Sequence, residues 1–165
     1  MIPDELVVMH ADGPMPDEAM FCPSIWRTED FDSDGDFYAD GLGGRWTQLQ
    51  LARRVRGERA TVLTVSVLRD PRPFQPWLVI DLQGFVDRQR AGGYGHIAAL
   101  AGLRDLAVTA LVIETDDAAD HREFLESAHR FLRFTGGWLV APIELDADGF
   151  AARYLGGRGA LQSGG

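Results

Sequence analysis

Ala60-Thr61-Val62-Leu63-Thr64-Val65-Ser66-Val67-Leu68 decides the fold class. Leu63, Val65 and Val67 alternate with Thr64 and Ser66, and more than half of the run is β-branched. That is the period of a strand with one face buried and one face polar. Downstream, Asp70-Pro71-Arg72-Pro73-Phe74-Gln75-Pro76 reads as a proline-rich turn, and Trp77 to Leu82 as a second strand, a neighbour antiparallel to the first across a wide, stiff loop. Gln83 to Gly95 is polar and glycine-rich. His96 to Leu106 has Ile97, Leu100, Leu103 and Leu106 at helical spacing.

Further on, Ala110-Leu111-Val112-Ile113-Glu114-Thr115 predicts a third strand. Asp120-His121-Arg122-Glu123 fits a capping box, an acid at the N-cap with Glu three residues on. The helix it opens runs to about Phe134, with Phe124, Leu125, Ala128, Phe131 and Leu132 on its core face, and Gly136-Gly137 end it. Trp138 to Leu145 predicts a fourth strand, followed by a short last helix carrying Phe150 and Tyr154. Upstream of the opening run, Trp46 to Arg56 reads as a helix with Trp46, Leu49, Val55 and either Leu51 or Ala52 as an apolar face. Leu6-Val7-Val8-Met9 is a short first strand, and Ala11 to Pro23 an irregular connection. Together these elements predict one α+β domain over residues 1–165. Its sheet is mostly antiparallel or mixed, has four to five strands, and is packed on one side by helices. Residues 1–44 form an acidic N-terminal segment and 156–165 a loose tail.

The charge is unevenly distributed. Residues 1–41 hold eleven acids and one base, a net of −10, whereas the rest of the chain holds 14 acids and 15 bases. The densest part is Glu29-Asp30-Phe31-Asp32-Ser33-Asp34-Gly35-Asp36-Phe37-Tyr38-Ala39-Asp40-Gly41. Three readings compete for it. Asp30-x-Asp32-x-Asp34-Gly35 matches the first half of a calcium loop, but the twelfth position is Gly41 and no flanking helices are evident. Asp34-Gly35 is also a favoured tight-turn pair, with Ile25-Trp26 and Phe37-Tyr38 as the arms of a hairpin. The third reading is a recognition surface for a basic protein partner. Glu29, Asp30, Asp32, Asp34, Asp36 and Asp40 would supply the field, and Trp26, Phe37 and Tyr38 the anchors. The arginines at 45, 53, 54, 56 and 59 would cancel that field if they paired with it.

The negative total and the lack of a basic stripe argue against a nucleic-acid partner. All sixteen basic residues are arginine. No apolar stretch is long enough to span a bilayer and no signal peptide is evident, so no membrane partner is expected and the expected location is the cytoplasm. The single cysteine, Cys22, permits no internal disulfide and reads as a small buried apolar residue.

No established catalytic motif is present, and no cofactor is implied. His121 and His129 are eight residues apart and do not share one helical face; with His10 and His96 they read as partly exposed surface residues. An acid/base or metal-dependent enzyme would have to use strand-end carboxylates: Asp81, Glu114, Asp116 and Asp117, with His121.

The unit Thr109 to Trp138 has an acid-His-Arg helix start at Asp120-His121-Arg122 and runs through Gly136-Gly137 into the next strand. It resembles the closing strand–helix–strand of small bacterial domains found as immunity proteins of polymorphic toxins. The likeness covers about a fifth of the chain, and its landmarks are structural, so no functional residue is carried across. The resemblance implies a small cytoplasmic antitoxin that occludes the active site of a cognate toxin effector with a basic surface. A metal-dependent or acid/base enzyme and a calcium-stabilised domain are the alternatives.

Overall fold

The computed structural model describes residues 2–39, 41–69 and 106–156. The expected turn at 70–76, the strand over Trp77 to Leu82, all but the last residue of the helix over 96–106, and the tail after Gly156 lie outside the described residues, as do Asp40 and Asp81.

The strands are β1 (Glu5–Ala11), β2 (Phe31–Gly35), β3 (Gln48–Val55), β4 (Glu58–Arg69), β5 (Leu106–Thr115) and β6 (Trp138–Ala141). The helices are α1 (Pro23–Trp26), α2 (Ala118–Thr135) and α3 (Ala147–Phe150), the last continuing as a π-helical turn over Ala151–Leu155. Single 3-10 turns cover Glu18–Met20 and Asp36–Tyr38. The described strands form one six-stranded sheet, ordered β2-β3-β4-β5-β1-β6, in which every neighbouring pair is antiparallel. The α+β class holds, with one or two more strands than expected. The opening stretch becomes β4, near the middle of the sheet, and the N-terminal apolar run becomes β1, inserted between β5 and β6.

The segment expected to be a helix over Trp46 to Arg56 is instead β3. Its buried residues Leu49 and Leu51 alternate with Gln48 and Gln50, a period of two. Trp46, which suggested a helical face, lies before the strand and is buried separately, edge-on to Phe21. β6 is also shorter than expected. Pro142 offers no ladder donor, and the chain folds back so that Leu145 exchanges backbone hydrogen bonds with Leu139 at 2.8 and 3.0 Å.

One face of the sheet carries Leu6, Val8, Leu49, Leu51, Leu63, Val65, Leu111 and Ile113, and α2 lies across it. The helix contributes Phe124, Leu125, Ala128, Phe131 and Leu132, its expected core face. Gly136 takes the left-handed conformation that closes the helix, at φ 65°. At Gly137 a Cβ would sit 2.6 Å from the Met9 carbonyl oxygen, so only glycine lets the chain pass so close to β1. Packing is not confined to this face. Val7, Met9, Leu68, Val108 and Ala110 point to the other side and are buried as well.

The capping assignment shifts by one helical turn. The N-cap of α2 is Asp117, whose Oδ1 accepts from the amides of Ala119 (2.8 Å) and Asp120 (3.0 Å). Asp120 is thereby left inside the first turn, free to reach the sheet. Cys22 is buried as expected; its amide donates to Ser127 Oγ, and burial above all pushes its thiol up to about 12.

His10 is a correction to the expectation of surface histidines, since it is only 2% exposed. Its Nδ1 lies 2.9 Å from the Ala11 carbonyl, which can only accept, so Nδ1 carries the proton and Nε2 accepts from Thr109 Oγ1 at 2.7 Å. Burial lowers its pKa below the ordinary 6.5; the Ala11 carbonyl opposes this, Arg69 adds to it and Asp12 opposes it. The unfolded chain therefore takes up a proton that the folded one refuses. This contribution to stability is complete above about pH 6.5 and is lost as pH falls below it, at no more than about 1.4 kcal/mol per pH unit. Urea denaturation from pH 7.5 down to pH 5 is expected to show stability falling in the wild type and falling less steeply in His10→Gln. His129, also lowered by burial and then by Arg133, contributes in both proteins.

Candidate partner-binding surface

The acidic stretch does not form the expected hairpin around Asp34-Gly35. Phe31–Gly35 is extended and pairs with β3, and the chain returns to β3 only after Asp36–Tyr38 and a glycine-containing loop. The expected first arm, Ile25-Trp26, lies in α1. The carboxylate of Asp36 governs this layout. It accepts from the Thr47 amide (2.8 and 3.0 Å), the Thr47 hydroxyl (2.7 Å) and the Gln48 amide (2.9 Å), tying the loop to the start of β3. Burial would raise the Asp36 pKa, but these bonds and that of its own amide outweigh it and hold the carboxyl below the usual range. Gly35 sits at φ 147°, where a Cβ would meet the Gln48 carbonyl oxygen at 2.1 Å.

β2 is an edge strand of the described sheet. Phe31 and Ser33 face the helix side, opposite Arg53 and Leu51, whereas Asp32 and Asp34 face the other side. Asp32 is neutralised within the chain by Arg54 at 2.9 Å, with Arg59 at 3.6 Å. Glu29, Asp30 and Asp34 are exposed, and no arginine of the described residues pairs with them. Asp34 accepts only from the following amide, that of Gly35. The aromatics divide similarly. Trp26 is half-buried, donates its indole N–H to the Phe21 carbonyl and meets Phe31 and Phe37 edge-on. Phe37 is half-buried among Trp26, Tyr38 and Trp46. Tyr38 is 60% exposed, its ring tilted on Phe37 and its hydroxyl bonded to that of Ser33. The surface thus presents Glu29, Asp30, Asp34 and Tyr38 outward, while Trp26, Asp32, Asp36 and Phe37 hold it in place.

The extended backbone of β2 spreads Asp30, Asp32 and Asp34 along the edge rather than around a common point, unlike a calcium loop. Among the described residues no group of three His, Cys, Asp or Glu side chains is arranged to hold a metal ion.

Of the strand-end carboxylates, Asp81 lies outside the described residues. Asp117 caps α2, and Asp120 bridges the helix to the sheet: its Oδ2 accepts from Arg53 Nε at 2.9 Å and from the Thr61 hydroxyl at 2.5 Å. Arg53 also reaches Asp117 at 3.1 Å. A hydrogen bond from the Asp120 amide is the main reason the Asp117 carboxyl titrates below the usual range. His121 turns away to the Pro3 carbonyl at 2.9 Å and Asp4 at 3.4 Å. Asp116 and Glu114 border shallow surface depressions near Arg59. Sequence reasoning gave Asp120 to the cap and had no means of seeing Arg53 and Thr61 as its partners, because they lie 67 and 59 residues away.

Fold and surface together define an α+β domain with an acidic sheet edge, and no helix among the described residues is long and apolar enough to cross a membrane. No family model, curated protein or solved structure matches the chain.

Proposed function

We propose that this protein is a stoichiometric inhibitor of the immunity type, one that neutralises a cognate toxin effector in the cytoplasm by laying its acidic edge over a basic active-site cleft. The observation that carries the reading is the set of carboxylates left without an arginine among the described residues, Glu29, Asp30 and Asp34, beside the exposed ring of Tyr38. Such a field steers a basic partner and raises its association rate, while an aromatic ring supplies contact area at little entropic cost. Trp26 and Phe37, packed beneath, keep the surface rigid before binding, which lowers the ordering cost of association.

The test is capture from lysate of the source organism, at low and high salt, by the wild type and by the triple variant Glu29→Gln/Asp30→Asn/Asp34→Asn. These three carboxylates can be neutralised without touching the pairs at Asp32 or Asp36. The expected result is one partner, held stoichiometrically, whose catalytic activity the wild type abolishes. For the variant, association with that partner at low salt should slow at least about tenfold. Equal capture by both proteins, or a captured partner whose activity is untouched, would refute the proposal.

A further inference from the structure

We infer that the edge of β2 takes up an extended basic segment of the partner as an added antiparallel strand. This rests on the reading of the acidic edge as the partner-binding surface and adds how the partner is held. The register of the sheet carries the inference. The Arg54 amide donates to the Asp30 carbonyl at 3.1 Å, so Asp30 and Arg54 are a hydrogen-bonded pair. With Asp32 opposite Ala52 and Asp34 opposite Gln50 in the same unbroken register, those residues also direct their amides and carbonyls at β3. Phe31, Ser33 and Gly35 therefore direct theirs outward. The Gly35 amide is taken by Asp34 Oδ1, which agrees with this assignment. The amides of Phe31 and Ser33, and the carbonyls of Phe31, Ser33 and Gly35, make no hydrogen bond to a neighbouring strand of the described sheet. A row of unpaired backbone groups on an edge is a template for a strand.

Charge selects the occupant. A second copy of β2 would bring carboxylate against carboxylate, and like charges directly opposite each other are destabilising. A strand whose side chains alternate between arginine or lysine and an apolar residue fits both faces. Its basic side chains reach towards Asp30 and Asp34, the carboxylates of that face that no arginine of the described residues pairs with, and its apolar ones lie beside Phe31 and Ser33 on the helix face. The geometry fixes a further detail. Residues opposite Phe31 and Ser33 form the hydrogen-bonded pairs, so the partner's apolar residues, not its basic ones, turn their amides towards β2.

The test uses a short synthetic peptide alternating arginine and valine, in three forms: unmodified, N-methylated on the valines, and N-methylated on the arginines. Binding to the full chain is followed by fluorescence anisotropy, and hydrogen exchange at the Phe31 and Ser33 amides by NMR. The unmodified and arginine-methylated peptides are expected to bind and to slow exchange at both amides. Methylation of the valines is expected to weaken binding at least about tenfold, because it removes the inter-strand donors. If the unmodified peptide does not bind, or if both methylated peptides bind like the unmodified one, the inference is overturned. Slowed exchange without peptide that depends on protein concentration would name a second copy as the occupant and overturn it too. A second arm separates this inference from the function it rests on. Ser33→Pro removes an outward amide without touching the ladder to β3. In the lysate experiment, capture lost with the triple acid variant but kept by folded Ser33→Pro would leave the inhibitor standing and remove the added strand.

Discussion

Replacing Phe131 with alanine is expected to lower the unfolding free energy by about 3–5 kcal/mol, the range found when a large buried aromatic is truncated. Phe131 is fully buried where three parts of the chain meet. It projects from α2, meets the His10 ring of β1 edge-on at 5.2 Å, and lies 5.7 Å from the Phe21 ring of the N-terminal connection. No neighbour can collapse into the space without leaving its own contacts, since β1 is held on both sides by β5 and β6. The control is on the same helix. Phe134 is 56% exposed, so Phe134→Ala is expected to change stability by no more than about 0.5 kcal/mol. Urea denaturation monitored by circular dichroism measures both. Similar losses for the two variants would mean that α2 does not pack through Phe131.

The second large effect belongs to Asp120. Asp120→Ala is expected to cost about 2–4 kcal/mol, because it strands a partly buried guanidinium and the Thr61 hydroxyl without their acceptor. The hydrogen bond from Arg53 is supported by charge: Asp120, first through that bond, raises the Arg53 pKa above its ordinary value. The pair also joins α2 to β3, so its loss should loosen the helix start along with the sheet. A double-mutant cycle with Arg53→Met separates the interaction from the stranded charge. The double variant should be less damaged than the sum of the two single variants, by about 0.5–3 kcal/mol. Additive losses would show that Asp120 and Arg53 act independently.

β4 was legible in the sequence because its period of two predicts a strand wherever the segment ends up, and β5 because Ala110 to Ile113 is a short, β-branched apolar run. The body of α2 was legible for the same reason as β4, its face of Phe124, Leu125, Ala128, Phe131 and Leu132 repeating at helical spacing. β3 was not legible. Leu49, Leu51, Ala52 and Val55 fit either period, and Trp46 tipped the reading towards a helix although it belongs to the preceding loop. The sheet overrode that local preference by pairing the segment on both sides, with β2 and β4.

For the candidate surface, composition alone located the acidic stretch, since net charge needs no coordinates. It did not tell which carboxylates stay exposed without an arginine among the described residues. Glu29, Asp30 and Asp34 have the same chemistry as Asp32 and Asp36, and differ in that the fold brings Asp32 an arginine and Asp36 two amides from a distant part of the chain, whereas Asp34 meets only the amide of its neighbour Gly35. Arg54 and the Thr47 and Gln48 amides come from β3 and the loop before it, so their arrival depends on strand register. Trp26 and Phe37 likewise became supports once the connection packed them against Phe31 and Trp46.

The sequence by itself therefore determined the α+β class, the body of the main helix, the central strands and the position of the negative charge, because each is written in local periodicity or in simple counts. Folding in three dimensions was needed to set Asp32 and Asp34 on an edge strand of the described sheet, to leave Glu29, Asp30 and Asp34 without an arginine among the described residues, and to make Asp120 clamp helix to sheet. Those outcomes depend on contacts between residues far apart in the chain, and no local pattern encodes such contacts.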